Sequence, residues 1–284
     1  MPRLKLFTLT VSAVAVAPLL GAAAGQAEAQ ERKSIRWSTS SVDSYGYRVA
    51  ASMVKIVEEA LGGEYTVPVN PYPSTTPAMK AAMDGNGEIG YTADIGMSQL
   101  YGGEGGFKNY KAGKGRLVHA WYAYPMESFM ATSAKLAPQF KCWSDFGGKP
   151  VFYTTAGFMN FANFMRISKA LGYQAKHVQI DPKTQSDALQ GGTIVGAVAY
   201  TTAERSLATY WRETDVPMDT SIVNPCPNEV AKLKAAGLAI STFAPKPAFA
   251  QDVGVKEISG VPILFGYNFR ADMPETVVYQ MLNG

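Results

Sequence analysis

The sequence predicts an α/β protein of two lobes facing one another across a cleft, and three observations carry the prediction. Short apolar segments alternate with helical ones along nearly the whole chain, the pattern of strands and helices wound into largely parallel sheets. Two strand-to-helix elbows rich in Ser, Thr and Gly occur, one in each half. Each aims backbone N–H groups and the positive end of a helix dipole at one spot, at the carboxyl ends of the strands where small ligands bind. The third observation is an export signal: two elbows in one exported chain point to a cleft rather than a single pocket.

Residues 1–29 read as a signal peptide. Arg3 and Lys5 form a basic start, Leu6–Leu20 an apolar run, and Ala27-Glu28-Ala29 an A-x-A cleavage site. The run is about 15 residues, short of the roughly 20 that span a bilayer. No later stretch is apolar for about 18 residues running, so a soluble, periplasmic mature protein is expected. What remains suffices for one large domain or two ordinary ones. The formal net charge is +3, and losing Arg3, Lys5 and Glu28 leaves it only slightly basic. No basic block or aromatic-interleaved Lys/Arg stripe is present, which argues against nucleic acid as a partner. Cys142 and Cys226 remain, 84 residues apart. They are read as a disulfide, which export permits, or as two separate buried thiols; the disulfide is the expectation. Loop entropy values such a bridge at roughly 4–5 kcal/mol.

The elements follow in order. Ser34–Ser38 is a short strand and Thr39–Gly46 a polar loop. Val49, Met53, Ile56, Val57, Ala60 and Leu61 recur at helical spacing until Gly62-Gly63. Tyr65–Val69 is a strand that Pro68 restricts to an edge or a bend. Ser74 N-caps a helix with Pro77 in its first turn, ending at Asp84-Gly85. Glu88–Thr92 is a strand, Ala93-Asp94 opens a helix toward Tyr101, and Gly102–Gly115 reads as a mobile surface loop. Arg116–Tyr124 and Glu127–Thr132 are extended segments meeting at Pro125, the first passage between lobes.

The second half repeats this grammar. A strand at Pro150–Tyr153 leads through the elbow Thr154–Gly157 into a helix closed by Gly172. Ser186–Thr202 repeats the helix, glycine turn, strand and Thr-bearing loop of Met79–Asp94. A helix at Asn228–Gly237 and a strand at Ala239–Phe243 follow. Val261–Phe269 and a helix opening at Met273-Pro274-Glu275 return to the first lobe. The expected division is residues 30–123 and 244–284 in the first lobe and 124–243 in the second.

An ordered set of motifs accompanies these elements. Ser38–Tyr47 (STSSVDSYGY) is a polar loop ending in aromatics, and Ser74–Ala78 a capped helix start. Tyr91–Gly102 (YTADIGMSQLYG) is a strand and acidic turn before Tyr-Gly. Ser144–Lys149 (SDFGGK) matches S-x-D-[LF]-x-G-K, Ala170–Tyr173 ends a helix as A-L-G-Y, and Ala188–Gly191 (ALQG) precedes the strand through Ala199. The set resembles the TAXI family of extracytoplasmic solute receptors, which serve TRAP transporters, over nearly the whole mature chain. The resemblance implies a type II periplasmic-binding-protein fold, a monomer that closes on a small organic acid or amino acid, and delivery to the membrane subunits of a TRAP carrier. It implies no cofactor, metal or catalytic residue. Thr39, Ser40 and Ser41 stand where the family usually has glycines, and Phe158, Met159 and Asn160 where it usually has a small turn.

By the resemblance, Thr39, Ser40, Ser41, Tyr45, Ser74, Thr75, Thr92 and Asp94 form the first lobe's wall of the ligand site. Gly157, Phe158, Met159, Asn160, Tyr200 and Thr201 form the second's. Each also has a plainer role: Ser74 or Asp94 as an N-cap, Phe158 in a core stripe with Phe161 and Met165, Gly157 for its backbone freedom. Bulk at Phe158-Met159 favours an acid with an apolar or aromatic body over glutamate. Arg48, the arginine nearest these loops, reads as solvent-facing. Chemistry is not expected, since His119 and His177 stand alone without HExxH, GxSxG or CxxC around them. Two other binding roles share this architecture: a ligand-sensing module for a membrane signalling protein, and the receptor of an ABC-type importer.

Overall fold

A computed structural model describes residues 32–111 and 116–284, so the signal peptide lies outside the described residues. Among the described residues no helix is long and apolar enough to cross a membrane. The first half comprises β1 (Lys33–Ser34), β2 (Trp37–Thr39), α1 (Tyr45–Ala60), β3 (Tyr65–Thr66), β4 (Val69–Pro71), α2 (Thr75–Met83), β5 (Ile89–Ala93) and α3 (Asp94–Gly102). Ser44 starts α1 by accepting the Tyr47 N–H on its Oγ at 3.1 Å. Gly62 and Gly63 follow its end at φ +63° and +75°, where a side chain would be strained. β2 pairs in parallel with β4 and β5, and β4 lies at the sheet edge, where Pro68 pointed.

The second half comprises β6 (Leu117–Ser133), β7 (Pro150–Phe152), α4 (Met159–Leu171), β8 (Lys176–His177), α5 (Gln185–Gln190), β9 (Gly196–Thr202), β10 (Ser206–Leu207), α6 (Thr209–Asp215), β11 (Thr220–Val223), α7 (Pro227–Ala235), β12 (Ser241–Phe243), β13 (Ile258–Arg270) and α8 (Glu275–Asn283). β6 and β13 run antiparallel to each other through both halves, and they organise the molecule. From Phe265 onward β13 pairs with β5 in the first lobe, while β6 from Met126 pairs with β9 in the second. Pro125 sits one residue before that pairing begins, so its missing N–H does not interrupt the strand. The two extended segments expected on either side of it are therefore one strand. Register shifts fall between Phe265 and Gly266 and between Tyr267 and Asn268, next to the crossing. The sheet is mixed rather than largely parallel, because both crossing strands run antiparallel to their neighbours.

Each lobe has its own core. Trp37, Tyr91, Phe265 and Tyr267 centre the first, and Phe129, Trp143, Phe152, Phe164 and Trp211 the second. Ala248, Phe249, Val253 and Ile258 belong to the second core. The segment from residue 244, expected in the first lobe, thus packs with the second, where Phe129 receives Phe243 and Phe249 with ring centroids 6.0 and 6.1 Å away. The chain returns along β13 itself. Part of the Gly102–Gly115 segment is also anchored: Phe107 is buried against Met79, Met83 and Leu117. Cys142 and Cys226 form a disulfide, with Cα atoms 5.1 Å apart.

Glu127 is wholly buried at the crossing. Its Oε2 accepts from Thr201 Oγ1 at 2.6 Å and from the Glu204 N–H at 3.0 Å. Burial pushes its carboxyl above the ordinary range, against these hydrogen bonds. The folded state therefore holds this proton more tightly than the unfolded chain, and stability falls as pH rises from the ordinary carboxylate pKa through the raised one. Glu127→Gln should flatten that decline without loss of fold; urea midpoints measured across the acid range check this.

Candidate functional site

The two elbows face each other and touch. In the second lobe, β7 ends at Phe152 and the chain turns through Thr154 at φ +78° and Gly157 at φ +96° before α4 begins. A β-branched residue in the left-handed region is a genuine outlier, of the kind that clusters at binding sites. The Gly157 carbonyl accepts from Thr76 Oγ1 at 3.1 Å, at the start of α2 in the first lobe. A Cβ on Gly157 would lie 2.7 Å from Ser74 Oγ, so the lobes approach as closely as glycine allows. Met159 crosses over and is buried in the first lobe's core. Its sulfur lies 2.8 Å from where a Cβ on Gly96 would stand.

Gly157→Val should therefore cost roughly 2–4 kcal/mol, from the left-handed backbone and the clash together. Denaturant unfolding measures it, with Gly148→Val as the control: Gly148 is also left-handed, at φ +69°, but nothing lies within 4 Å of its Cβ position.

A cavity of about 300 Å³ opens beside this contact. From the first lobe it is lined by Ser41, Asp43, Ser44, Tyr45, Arg48 and Pro73. Thr155, Phe158, Asp181, Pro182 and Lys183 line it from the second lobe, with Tyr200, Thr202 and the segment Leu207–Tyr210 completing that wall beside Glu213. Four of the expected residues, Ser41, Tyr45, Phe158 and Tyr200, are among these.

The others lie elsewhere. Thr39 and Ser40 are buried, with Thr39 Oγ1 donating to the Ser40 carbonyl at 3.1 Å and Ser40 Oγ 2.7 Å from Ser44 Oγ. Ser74 and Gly157 sit in the lobe-to-lobe contact, Thr75 is buried at the start of α2, and Ser74 starts α2 without a side-chain capping bond. Thr92 Oγ1 turns to the Ala93 carbonyl at 3.4 Å. Asp94 Oδ1 accepts from Ile95 N at 2.8 Å and from Leu264 N on the crossing strand at 3.2 Å. Asn160 Nδ2 donates to Ser128 Oγ at 3.2 Å, and Thr201 is held by Glu127.

Arg48 is exposed, as its sequence position suggested, and it also stands on the cavity wall, which the sequence did not reveal. It lies one turn after Tyr45 on α1, with its guanidinium 5.5 Å from the Tyr45 ring centroid on the cavity wall. Among the described residues no carboxylate forms an ion pair with it. Burial raises the Tyr200 and Tyr124 hydroxyls above their ordinary range, and the Arg48 charge pulls both the other way. The guanidinium thus acts electrostatically on the cavity and the crossing together. Tyr45 links the same two places, packing edge-on to Tyr124 at 4.9 Å, whose hydroxyl lies 2.7 Å from that of Tyr91. Asp43, Asp181 and Glu213 join Arg48 and Lys183 on the wall, so the cavity carries both signs of charge. Tyr45, Phe158, Tyr200 and Tyr210 bring aromatic rings to its lining, beside Pro73, Pro182, Leu207 and Ala208.

No protein-family model matches the chain, and no curated protein sequence matches it. Solved structures do. A putative L-cystine ABC transporter protein from Listeria monocytogenes is 11% identical with a TM-score of 0.52, over 88% of this chain and 89% of that one. A probable amino-acid ABC transporter extracellular-binding protein from Bacillus subtilis is 8% identical with a TM-score of 0.51, over 89% and 91%. A putative periplasmic sulfonate-binding protein from Methylobacillus flagellatus is 16% identical with a TM-score of 0.50, over 89% of this chain and 66% of that one. These likenesses show the type II periplasmic-binding-protein fold: two α/β lobes joined by crossing strands with a cleft between them.

Proposed function

We propose that the protein is an exported receptor that closes its two lobes on a small organic acid or amino acid and presents it to a membrane transporter. The observation that carries this reading is Arg48, a guanidinium without a carboxylate partner, set over Tyr45 in a cavity whose walls come from both lobes. Its planar donors suit a carboxylate, and the aromatic walls suit an apolar or aromatic body. Asp43, Asp181 and Glu213 give an amino group a place as well. The lobes divide at Pro125 on β6 and near Leu264 on β13, and closure bends these two strands. The proposed role is binding, the role that the names of the structurally similar proteins give to those proteins.

The ordered motifs from Ser38 to Ala199 support a TAXI-type receptor delivering to a TRAP carrier. A second reading, the receptor of an ABC importer, is favoured by the transporter class of the structurally similar proteins above. Uptake by vesicles holding the receptor's membrane partner separates them: an ion gradient drives the first, internal ATP the second. A sensing role would give binding without uptake. Binding itself is tested by isothermal titration of native protein and Arg48→Ala with the carboxylates that stabilise the native protein. Truncating a charged partner costs about 2 kcal/mol or more, so affinity should fall by about thirtyfold. Undiminished affinity in the variant contradicts the assignment of Arg48.

A further inference from the structure

Thr154 is held in its strained conformation by bonds from β8 and the residues just after it. The residue before it, Tyr153, donates its N–H to His177 Nδ1 at 3.2 Å. Two residues after it, Ala156 donates its N–H to Gln179 Oε1 at 3.2 Å. The two acceptors are themselves joined, with His177 Nε2 and Gln179 Oε1 3.2 Å apart. His177 and Gln179 thus form one brace that grips the elbow on both sides of the residue at φ +78°. Beyond the brace the same chain segment reaches the cavity as Asp181, Pro182 and Lys183, and the elbow reaches it as Thr155 and Phe158.

The arrangement fixes the protonation state of the ring. An Nδ1 that accepts must be bare, so the proton sits on Nε2 and is donated to Gln179 Oε1, which has room for a second donor from Ala156. An imidazolium carries a proton on Nδ1 as well and would face the Tyr153 N–H donor to donor. The ring's surroundings do not favour that charge by contact. It packs on Phe152, Tyr153 and Phe161, with centroids 6.1, 5.9 and 4.9 Å away. The one titratable neighbour among these, Tyr153, turns its hydroxyl to Ser168 Oγ at 3.1 Å and to the Ala175 N–H at 3.3 Å. Lys176 beside it in the strand is exposed. Among the described residues no Asp, Glu, Lys or Arg side chain bonds or pairs with the ring.

We infer that His177 and Gln179 are positioning residues for the ligand cleft: neutral His177 holds the Thr154–Gly157 elbow in its binding shape, and protonation of His177 releases it. The functional half of this statement rests on the receptor reading; the brace does not. Amide hydrogen exchange of the purified protein, read in peptides spanning residues 151–158 and corrected for intrinsic rates, tests it at about pH 8 and about pH 5, either side of the range in which imidazoles ordinarily titrate.

The native elbow should be protected at the higher pH and exchange about tenfold faster at the lower one, the worth of one or two such bonds. His177→Phe keeps the ring packing and loses both bonds, so it should be unprotected at both pH values. His177→Asn keeps an acceptor at the Nδ1 position and does not titrate; it should protect the elbow at both. Equal native protection at the two pH values, a protected Phe variant, or an Asn variant that behaves like Phe would each overturn the proposal. The readout uses no ligand, so a failure to find any ligand would count against the receptor reading and leave the brace standing.

Discussion

Glu229→Ala should be among the most damaging single substitutions in the second lobe, lowering stability by roughly 3–5 kcal/mol. The Glu229 carboxylate is buried and accepts three backbone N–H groups, from Trp143 at 3.0 Å, Ser144 at 2.8 Å and Cys226 at 3.0 Å. It caps α7 and pins the loop 141–149 in one step, since Trp143 also donates its ring Nε1–H to the Val223 carbonyl at 2.7 Å. Each abandoned buried donor costs about 1–3 kcal/mol, reduced where water can reach the vacated space. Glu229→Gln keeps one acceptor oxygen but turns an NH2 toward a backbone N–H, and should fall between the alanine variant and the native protein. Thermal unfolding followed by near-UV circular dichroism, with the disulfide intact, should show the alanine variant melting about 10 °C lower.

Reducing the Cys142–Cys226 disulfide should have a comparable effect, about 4–5 kcal/mol in the loop-entropy account for a separation of 84 residues. The bridge closes a loop that includes β7, α4, β9 and α6, most of the second lobe. One end, Cys226, donates its N–H to Glu229; the other, Cys142, donates to Asp145 Oδ2 at 3.0 Å and is followed by Trp143 and Ser144, which Glu229 holds. The two effects should therefore couple, with Glu229→Ala costing a different amount in the reduced protein than in the oxidised one. A double cycle of reduction and substitution, read by urea unfolding, measures that coupling. Additivity within about 0.5 kcal/mol would show that the carboxylate and the bridge hold separate parts of the lobe.

Much of the fold was legible because the sequence marks its elements with residues whose physics is local. Ser44 and Gly62-Gly63 bound α1, Gly172 closes α4 at φ +77°, and Gly237 follows α7 at φ +78°. The paired elbows, with residues 1–29 read as a signal peptide, pointed to two lobes. The return of the chain was placed too early because Ser241–Phe243 reads as a strand wherever it pairs, and its partner, the start of β13, lies in the second lobe.

The site was legible only in part, for two reasons. Hydroxyls on the elbows look like ligand groups in sequence, but Thr76, Gly157 and Met159 bring the lobes into contact there, and the open space lies to one side. Much of the far wall, Leu207–Tyr210 and Glu213, follows a hairpin turned at Ala203 and Glu204, with φ of +52° and +59°. Neither residue signals a turn of that hand, which glycine or asparagine ordinarily supplies. What holds the turn is Glu127, far away in sequence, through its bond from the Glu204 N–H. Arg48 is exposed as expected; what the sequence could not show is that the space it faces is the cavity that the second lobe closes off.

The central claim is that a small carboxylate binds in the cavity between the lobes, on Arg48. A thermal-shift screen of the purified protein against organic acids, amino acids and sugars tests it most directly, with every hit repeated on Arg48→Ala. A ligand at about 100 times its dissociation constant should add about 2.7 kcal/mol and raise the melting point by about 5–10 °C. The account predicts a strong shift from at least one carboxylate with an apolar or aromatic body, much reduced in the variant. A folded protein that no carboxylate stabilises, or one whose best ligand binds the arginine variant equally well, would contradict it.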